Sequence, residues 1–401
     1  MNLLKTDIVI CGGGISGLIM AKSLIHLGLQ VTCIEKNKNK KKQSKDTDLR
    51  STALLHPAVN FFKKIGIWQN FESQAQPLNS LVICNLNPNS EKIDSSCEFL
   101  AEDLSIDKLG YNVPNKIIFG ELIKLLKTSK KFHYIEGDYV ERITPRSFDV
   151  VIKTKQKNQI TSKLIIAADG RYSNIREILN IKKIKYDYNQ QALVFNIKHS
   201  FNHDSKSYEI YKSEGPCTLV PLKTKEFNGY FSSVVLMLDD TNDSDEIFID
   251  IKKMSDFITK RTGNILGDCN VQSEVSNFPI ISQTSNSLTS ERVILLAETA
   301  HVLPPIGAQG LNTSIHDIKK LYHLIEKRLL NNEEIGDYNF LKDYEKSRKN
   351  QIFSRMLSVH LLNKLSISNK EVISNIRKFG LSFLNGNKIS KKIAMRFGMF
   401  Q

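Results

Sequence analysis

Tryptophan occurs once in these 401 residues and cysteine only six times, at Cys11, Cys33, Cys84, Cys97, Cys217 and Cys269. No two cysteines form a C-x-x-C pair or a metal-ligand spacing, which argues against zinc and against a disulfide framework. Cys11 and Cys33 fall inside predicted apolar strands, so they read as small buried apolar residues in a reducing compartment. The nine histidines do not cluster at ligand spacings, and no Ser-His-Asp or Cys-His order stands out. Long apolar runs are missing too: none approaches the roughly 18 to 20 residues that cross a bilayer. The first predicted strand begins by residue 7, leaving no room for a secretory leader, so the expected location is cytoplasmic, with membrane contact only from outside.

Negative charge is in deficit, and the net charge is +14. The excess is mostly Lys spread along the chain, without aromatic interleaving or a recognisable nucleic-acid module, so nucleic acid is not an expected partner. The densest run, Lys36 to Lys45, reads as a solvated loop; attraction of NADPH or anionic lipid is the sharper alternative. With 41% hydrophobic and 24% charged residues, a chain of this length can bury a core in two or three domains.

What the sequence does contain begins at once. Asp7-Ile-Val-Ile-Cys-Gly12-Gly13-Gly14-Ile15-Ser16-Gly17 is an apolar strand running into a glycine turn and a helix. Gly12 suits the tight turn, Gly14 the close approach of a pyrophosphate, and Gly17 the packing of helix on sheet, with the helix N-terminus aimed at the phosphates. Val31 to Ile34 read as the next strand, which puts Glu35 where a carboxylate accepts ribose hydroxyls. Ile15, Ser16 and Lys36 complete this candidate cofactor set. The motif does not choose between FAD and NAD.

Two distant segments make that choice. Leu164-Ile-Ile-Ala-Ala-Asp169-Gly170-Arg171 is a strand ending in a polar turn; Arg292-Val-Ile-Leu-Leu-Ala297-Glu298-Thr-Ala-His301 is another, followed by Pro304-Pro305-Ile-Gly307-Ala308-Gln309-Gly310-Leu311-Asn312 and a helix. Both resemble signatures of the single-component aromatic flavin hydroxylases, the group that includes p-hydroxybenzoate hydroxylase. Asp48-Leu-Arg50-Ser-Thr-Ala-Leu and the Pro-Pro-Ile-Gly-Ala-Gln-Gly-Leu-Asn run look most like the ubiquinone-biosynthesis ring hydroxylases. The resemblance covers residue 5 to about residue 350.

It implies FAD as cofactor, NADPH or NADH as transient co-substrate, and O2. A flavin C4a-hydroperoxide would carry oxygen to an electron-rich ring, so no protein residue is assigned as catalytic. By the same resemblance, Asp169 and Gly170 lie near the pyrophosphate and Glu298 takes the flavin ribityl or ribose hydroxyls. Arg50 contacts phosphate or flavin, and the backbone from Pro305 and Gly307 to Asn312 faces the flavin pyrimidine edge, where helix-end N–H groups favour the charge of reduction. His301 reads as structural. Gly215-Pro216 and Pro221 resemble a strand pair at the substrate pocket, with Leu236 where the family has an aromatic. The chain departs from the pattern in three places. Ala297-Glu298 replaces Gly-Asp, Gly307-Ala308 inverts Ala-Gly, and Pro114 stands where a carboxylate is common.

The expected fold class is α/β: a Rossmann-like FAD-binding domain (1–75, 100–182 and 279–340) interleaved with a mostly antiparallel β-sheet substrate domain (76–99 and 183–278) and a helical C-terminal segment (341–401). A helix is expected over 120–130. Near the C-terminus, Ile389, Ile393, Phe397 and Phe400 recur at helical spacing with Lys388, Lys391, Lys392 and Arg396 off the stripe. That pattern suits peripheral membrane attachment, or packing on the protein itself or on a partner subunit of a ubiquinone-biosynthesis complex. The expected reaction is hydroxylation of a polyprenylated phenol. An isoprenoid reductase of the geranylgeranyl-reductase kind and a flavin-binding scaffold with little turnover stand as alternatives.

Overall fold

The computed structural model describes residues 3–38, 50–87, 92–212, 215–223, 229–239, 250–366 and 371–400. Most of the Lys36 to Lys45 run, together with Asp48 and Leu49, lies outside them. Ile8–Cys11, Val31–Glu35 and Leu164–Ala167 are buried at every position, the pattern of strands covered on both faces. They form the centre of a six-stranded sheet in the order Thr289–Ser290, Val293–Leu295, Leu164–Ala167, Ile8–Cys11, Val31–Glu35, Phe132–Glu136. All neighbours are parallel except the edge pair Thr289–Ser290 and Val293–Leu295. The C-terminal ends of the central strands therefore lie side by side, where open parallel sheets bind ligands.

Helix Ile15–His26 packs Leu18, Ile19, Met20 and Leu24 into the core under this sheet. Beside it lies helix Asn115–Lys127, which begins directly after Pro114 and so starts earlier than the expected 120. Asn115 and Ile118 are already buried in its first turn.

The second large sheet is almost wholly antiparallel. Its nine strands run His301–Val302, Ser276–Ser285, Lys183–His199, Tyr230–Asp239, Gly215–Leu222, Lys206–Lys212, Ser80–Leu86, Ile93–Leu100, with Cys269–Val271 also paired to Lys183–His199. One face holds Leu193, Phe195, Ile197, Cys217, Leu219 and Leu236, covered by Met254 and Ile258 of helix Ile251–Arg261. The other face turns toward the parallel sheet and forms a roof over the strand ends.

The C-terminal third is helical: Gln309–Leu330, Tyr338–Ser366, Glu371–Gly386 and Lys388–Phe400. Leu381, Met395 and Met399 bury themselves against Cys97 and Phe99 of the roof. Among the described residues no helix is long and apolar enough to cross a membrane.

Candidate active site

Gly12 adopts φ +112°, and a Cβ there would lie 2.2 Å from the Ala168 carbonyl oxygen; a Cβ on Gly17 would lie 2.0 Å from the Gly12 oxygen. These two glycines let strand, turn and helix touch. Gly14 differs, because a Cβ there would meet nothing within 4 Å. The space above it belongs to a cavity of about 1370 Å³ between the two sheets, larger than the roughly 300–1,000 Å³ typical of a drug-sized site.

Two helix N-termini open into this cavity. Ile15–His26 starts at Gly14 and Gln309–Leu330 starts at Ala308, and neither has a side-chain cap. Their first N–H groups lack intrahelical acceptors and carry the positive end of the helix dipole. Lys38, Arg50, Lys116, Lys124, Lys127 and Arg171 line the same cavity, against one acid among the described residues, Glu298. Such a surface fits an elongated anion held at two points. An FAD diphosphate at the first helix and a flavin gaining charge at the second fill that requirement.

Of the residues singled out in the sequence, Gly14, Ile15, Ser16, Arg50, Gly170, Glu298, Pro305, Gln309, Gly310 and Leu311 line the cavity. Glu35 sits behind the glycine turn, where its Oε2 accepts the Gly13 N–H at 2.7 Å and its Oε1 the Asn37 N–H at 3.1 Å. Asp169 is likewise engaged within the protein, accepting the Ile175 N–H at 3.1 Å and the Thr299 hydroxyl at 3.1 Å, while Gly170 donates its N–H to the same hydroxyl. Asn312 stitches the second helix to strand Ser51–Leu55, donating to the Ala53 and Ala308 oxygens and accepting the Leu55 N–H. Lys36 turns its ammonium over the Tyr139 ring and away from the cavity.

The four substrate-pocket candidates need correcting. None of Gly215, Pro216, Pro221 or Leu236 lines the cavity; Thr218, Val220, Ser233 and Val235 do. Side chains alternate across a strand, and Leu236 falls on the face buried with Cys217 and Leu219, so its neighbour Val235 meets the cavity.

Several groups escaped the sequence reading. Arg176, 2% exposed, donates to the Thr299 and Arg171 carbonyls and ties the two acid turns together. Asp317, fully buried, takes His301 Nε2 at 2.6 Å, Arg348 Nη2 at 2.6 Å and the Ala297 N–H at 3.3 Å. Burial alone would raise its carboxyl, but His301 and Arg348 overcome that and hold it at about 2. Ala297 and Ala308, at φ +57° and +55°, occupy left-handed backbone that normally favours glycine.

Residues 5–353 match the family model described as FAD binding domain. The ubiquinone biosynthesis monooxygenase COQ6 of Dictyostelium discoideum is 24% identical over 94% of this chain and 88% of its own. The ubiquinone hydroxylase UbiM of Neisseria meningitidis is 22% identical over 85% and 73%. Among solved structures, p-nitrophenol 4-monooxygenase of Pseudomonas putida superposes with a TM-score of 0.81 at 13% identity over the full length of both chains. HpxO of Klebsiella pneumoniae, complexed with FAD, gives 0.76 at 15% over 98% of each. A cavity built for an extended dianion, within a chain matched over most of its length, leads to one assignment: the protein belongs to the FAD binding domain family and is an FAD-dependent monooxygenase using NAD(P)H and O2.

Proposed function

We propose that this monooxygenase hydroxylates the ring of a polyprenylated phenol on the way to ubiquinone, with the overall balance ArH + O2 + NAD(P)H + H⁺ → ArOH + NAD(P)⁺ + H2O. Bound FAD supplies hydride acceptance and oxygen activation, which side chains cannot. The chain's own residues would do the rest. Arg50 and the two uncapped helix ends would hold the cofactor, and the roof would keep the reacting space dry. The carrying observation is the character of that roof: Val194, Val220, Val235, Phe278 and Ile280 line it, with hydroxyls from Thr218, Ser233 and Ser276 and, among the described residues, no charged side chain. Such a wall suits an apolar ring with one or two oxygens for orientation. The names of the relatives support ubiquinone chemistry in particular.

A polyprenyl tail dissolves in lipid, and the C-terminal helices suit a protein that meets lipid. Phe379, Ile389 and Ile393 are 75%, 74% and 63% exposed, with Lys388, Lys392 and Arg396 near them in sequence. Lys391 is withdrawn from this set, since it pairs with Asp103 at 2.8 Å. Each of the remaining cations would contribute about 1 kcal/mol near an anionic surface.

Two experiments test the reading. FAD-loaded protein is given NADPH, a short-chain polyprenylphenol and ¹⁸O2; the expected product is heavier by one labelled oxygen, with NADPH oxidation faster when the phenol is present. A saturated prenyl chain would indicate the reductase instead, and no product with bound FAD the scaffold. Flotation with anionic phospholipid vesicles at low salt is expected for the native chain and lost in Ile389→Asp/Ile393→Asp. Equal behaviour of the two removes these helices as the anchor.

A further inference from the structure

Roof and floor of the cavity meet differently at two borders. The roof crosses from Ser276–Ser285 through Lys183–His199 and Tyr230–Asp239 to Gly215–Leu222, three strand spacings or roughly 14 Å. Beneath it, strands Ser51–Leu55 and Gly110–Pro114 pair side by side. At the Gly215–Leu222 border the joint is a buried hydrogen bond: Asn112, 1% exposed, donates its amide to the Pro221 oxygen at 2.8 Å. At the Ser276–Ser285 border the Arg50 guanidinium lies over the Phe278 ring, 5.3 Å from its centre. Both residues line the cavity; Arg50 is exposed and Phe278 half-buried.

Phe278 hangs from a strand edge. From Ser276 to Pro279 its strand pairs with Lys183–His199 on one side, while the neighbour on the other side, His301–Val302, meets it at Gln283 and Thr284. Pro279 has no N–H to offer a further strand, which suits an edge. On the floor, the Arg50 oxygen accepts the Asn115 N–H at 2.9 Å, so the backbone is tied to the start of helix Asn115–Lys127 and the side chain reaches across. A cation–π contact at an exposed site is weak, and such side chains change rotamer within nanoseconds. This border therefore opens far more readily than the buried amide bond at the other. The contact uses the face of the guanidinium, whose in-plane donors serve oxyanions, so it is compatible with a cofactor phosphate beside Arg50. The Phe278 ring also offers an incoming aromatic ring a stacking partner.

We propose that Arg50 and Phe278 form the gate through which the aromatic substrate enters. Phe278 swings off the guanidinium to admit the ring beneath the roof edge, then returns and closes the reacting space to water. When the gate stays open, water reaches that space and the reducing equivalents escape as peroxide, O2 + NAD(P)H + H⁺ → H2O2 + NAD(P)⁺. The proposal rests on the phenol reading of the site.

The test uses full-length protein loaded with FAD and compares Phe278→Ala, Phe278→Leu and Phe278→Tyr. Readouts are the second-order rate constant for binding a short-chain polyprenylphenol, followed by stopped-flow flavin absorbance, and the peroxide released per NADPH oxidised. Phe278→Ala is expected to bind the phenol about two- to fivefold faster, the effect of losing one exposed cation–π contact, and to release more peroxide. Phe278→Leu keeps apolar bulk without a ring face and should move both readouts in the same direction. Phe278→Tyr keeps the ring and should restore the native entry rate. A wall residue with no gating role would change phenol release and leave entry as it was. Native or slower entry, or a native peroxide yield, in a folded Phe278→Ala overturns the proposal, as does a Phe278→Tyr as fast as Phe278→Ala. Should Phe278→Ala fail to fold, equal entry rates in Phe278→Leu and Phe278→Tyr overturn it. Native protein that holds FAD but binds no phenol would instead contradict the phenol reading, before any variant is compared.

Discussion

Two buried acids, one on the second helix of the site and one in the roof, sit in opposite electrical surroundings. Asp317 accepts the Ala297 N–H while also holding Arg348 and His301. Glu209 accepts the Tyr211 hydroxyl. Burial acts on both carboxyls in the same direction. The partners decide the outcome: the guanidinium and imidazole hold Asp317 at about 2, whereas a neutral hydroxyl leaves Glu209 above the usual range. One acid sits in an ionic cluster and the other in a neutral hydrogen bond.

The largest expected effect breaks the ionic cluster. Asp317→Ala leaves Arg348, 4% exposed, without its counter-charge and His301, 2% exposed, without its hydrogen-bond partner, and should cost about 3–5 kcal/mol in a denaturant titration. Glu209→Ala removes only the acceptor of the Tyr211 hydroxyl and should cost about 1–3 kcal/mol. A Glu209→Ala loss that exceeds the Asp317→Ala loss reverses the comparison.

A pH series separates the two acids by sign. Asp317 has a depressed folded-state pKa, so its stabilisation is present above the unfolded value of 3.8 and disappears as pH falls toward about 2; the amount is about 2 kcal/mol. Glu209 has a raised folded-state pKa, so stability is fully present below its unfolded value of 4.5 and declines as pH rises beyond it. Relative to Glu209→Gln, the native chain should lose stability from pH 4 to 7. A difference that is flat across that range would mean the carboxyl is not held up by burial.

The smallest effect probes the left-handed backbone at Ala297 and Ala308. Ala297→Gly and Ala308→Gly relieve left-handed strain of about 1–2 kcal/mol but add backbone entropy of about 0.5–1 kcal/mol to the unfolded chain. Each should raise stability by about 0.5–1 kcal/mol, seen as a higher melting temperature of the apo-protein. A fall in both would show that the alanine methyls pack usefully.

How much could be read in advance depends on distance along the chain. The strand–turn–helix from Ile8 to His26 and the strand ending at Glu35 were legible because glycine sterics and apolar runs act within about thirty residues. The alternating strands of the roof were legible as strands, but not which face they present. Leu236 and Val235 differ by one position, and only pairing with Gly215–Leu222 and Lys183–His199 says which meets the cavity. The C-terminal stripe was legible as a helix, yet the withdrawal of Lys391 required Asp103, which no local pattern connects to it.

By itself, then, the sequence determined the nucleotide-binding turn and the α/β class, because these follow from local backbone preference and side-chain period, and it placed the flavin motifs in order by their resemblance to a known family. Only the tertiary structure decided that Asp317 meets His301 and Arg348, that Glu209 is buried behind the cavity-lining face of the roof, and that two uncapped helix ends share one cavity. Those pairings join residues from separate sheets and helices, and their energies depend on burial and partner charge, which exist only once the chain has closed around them.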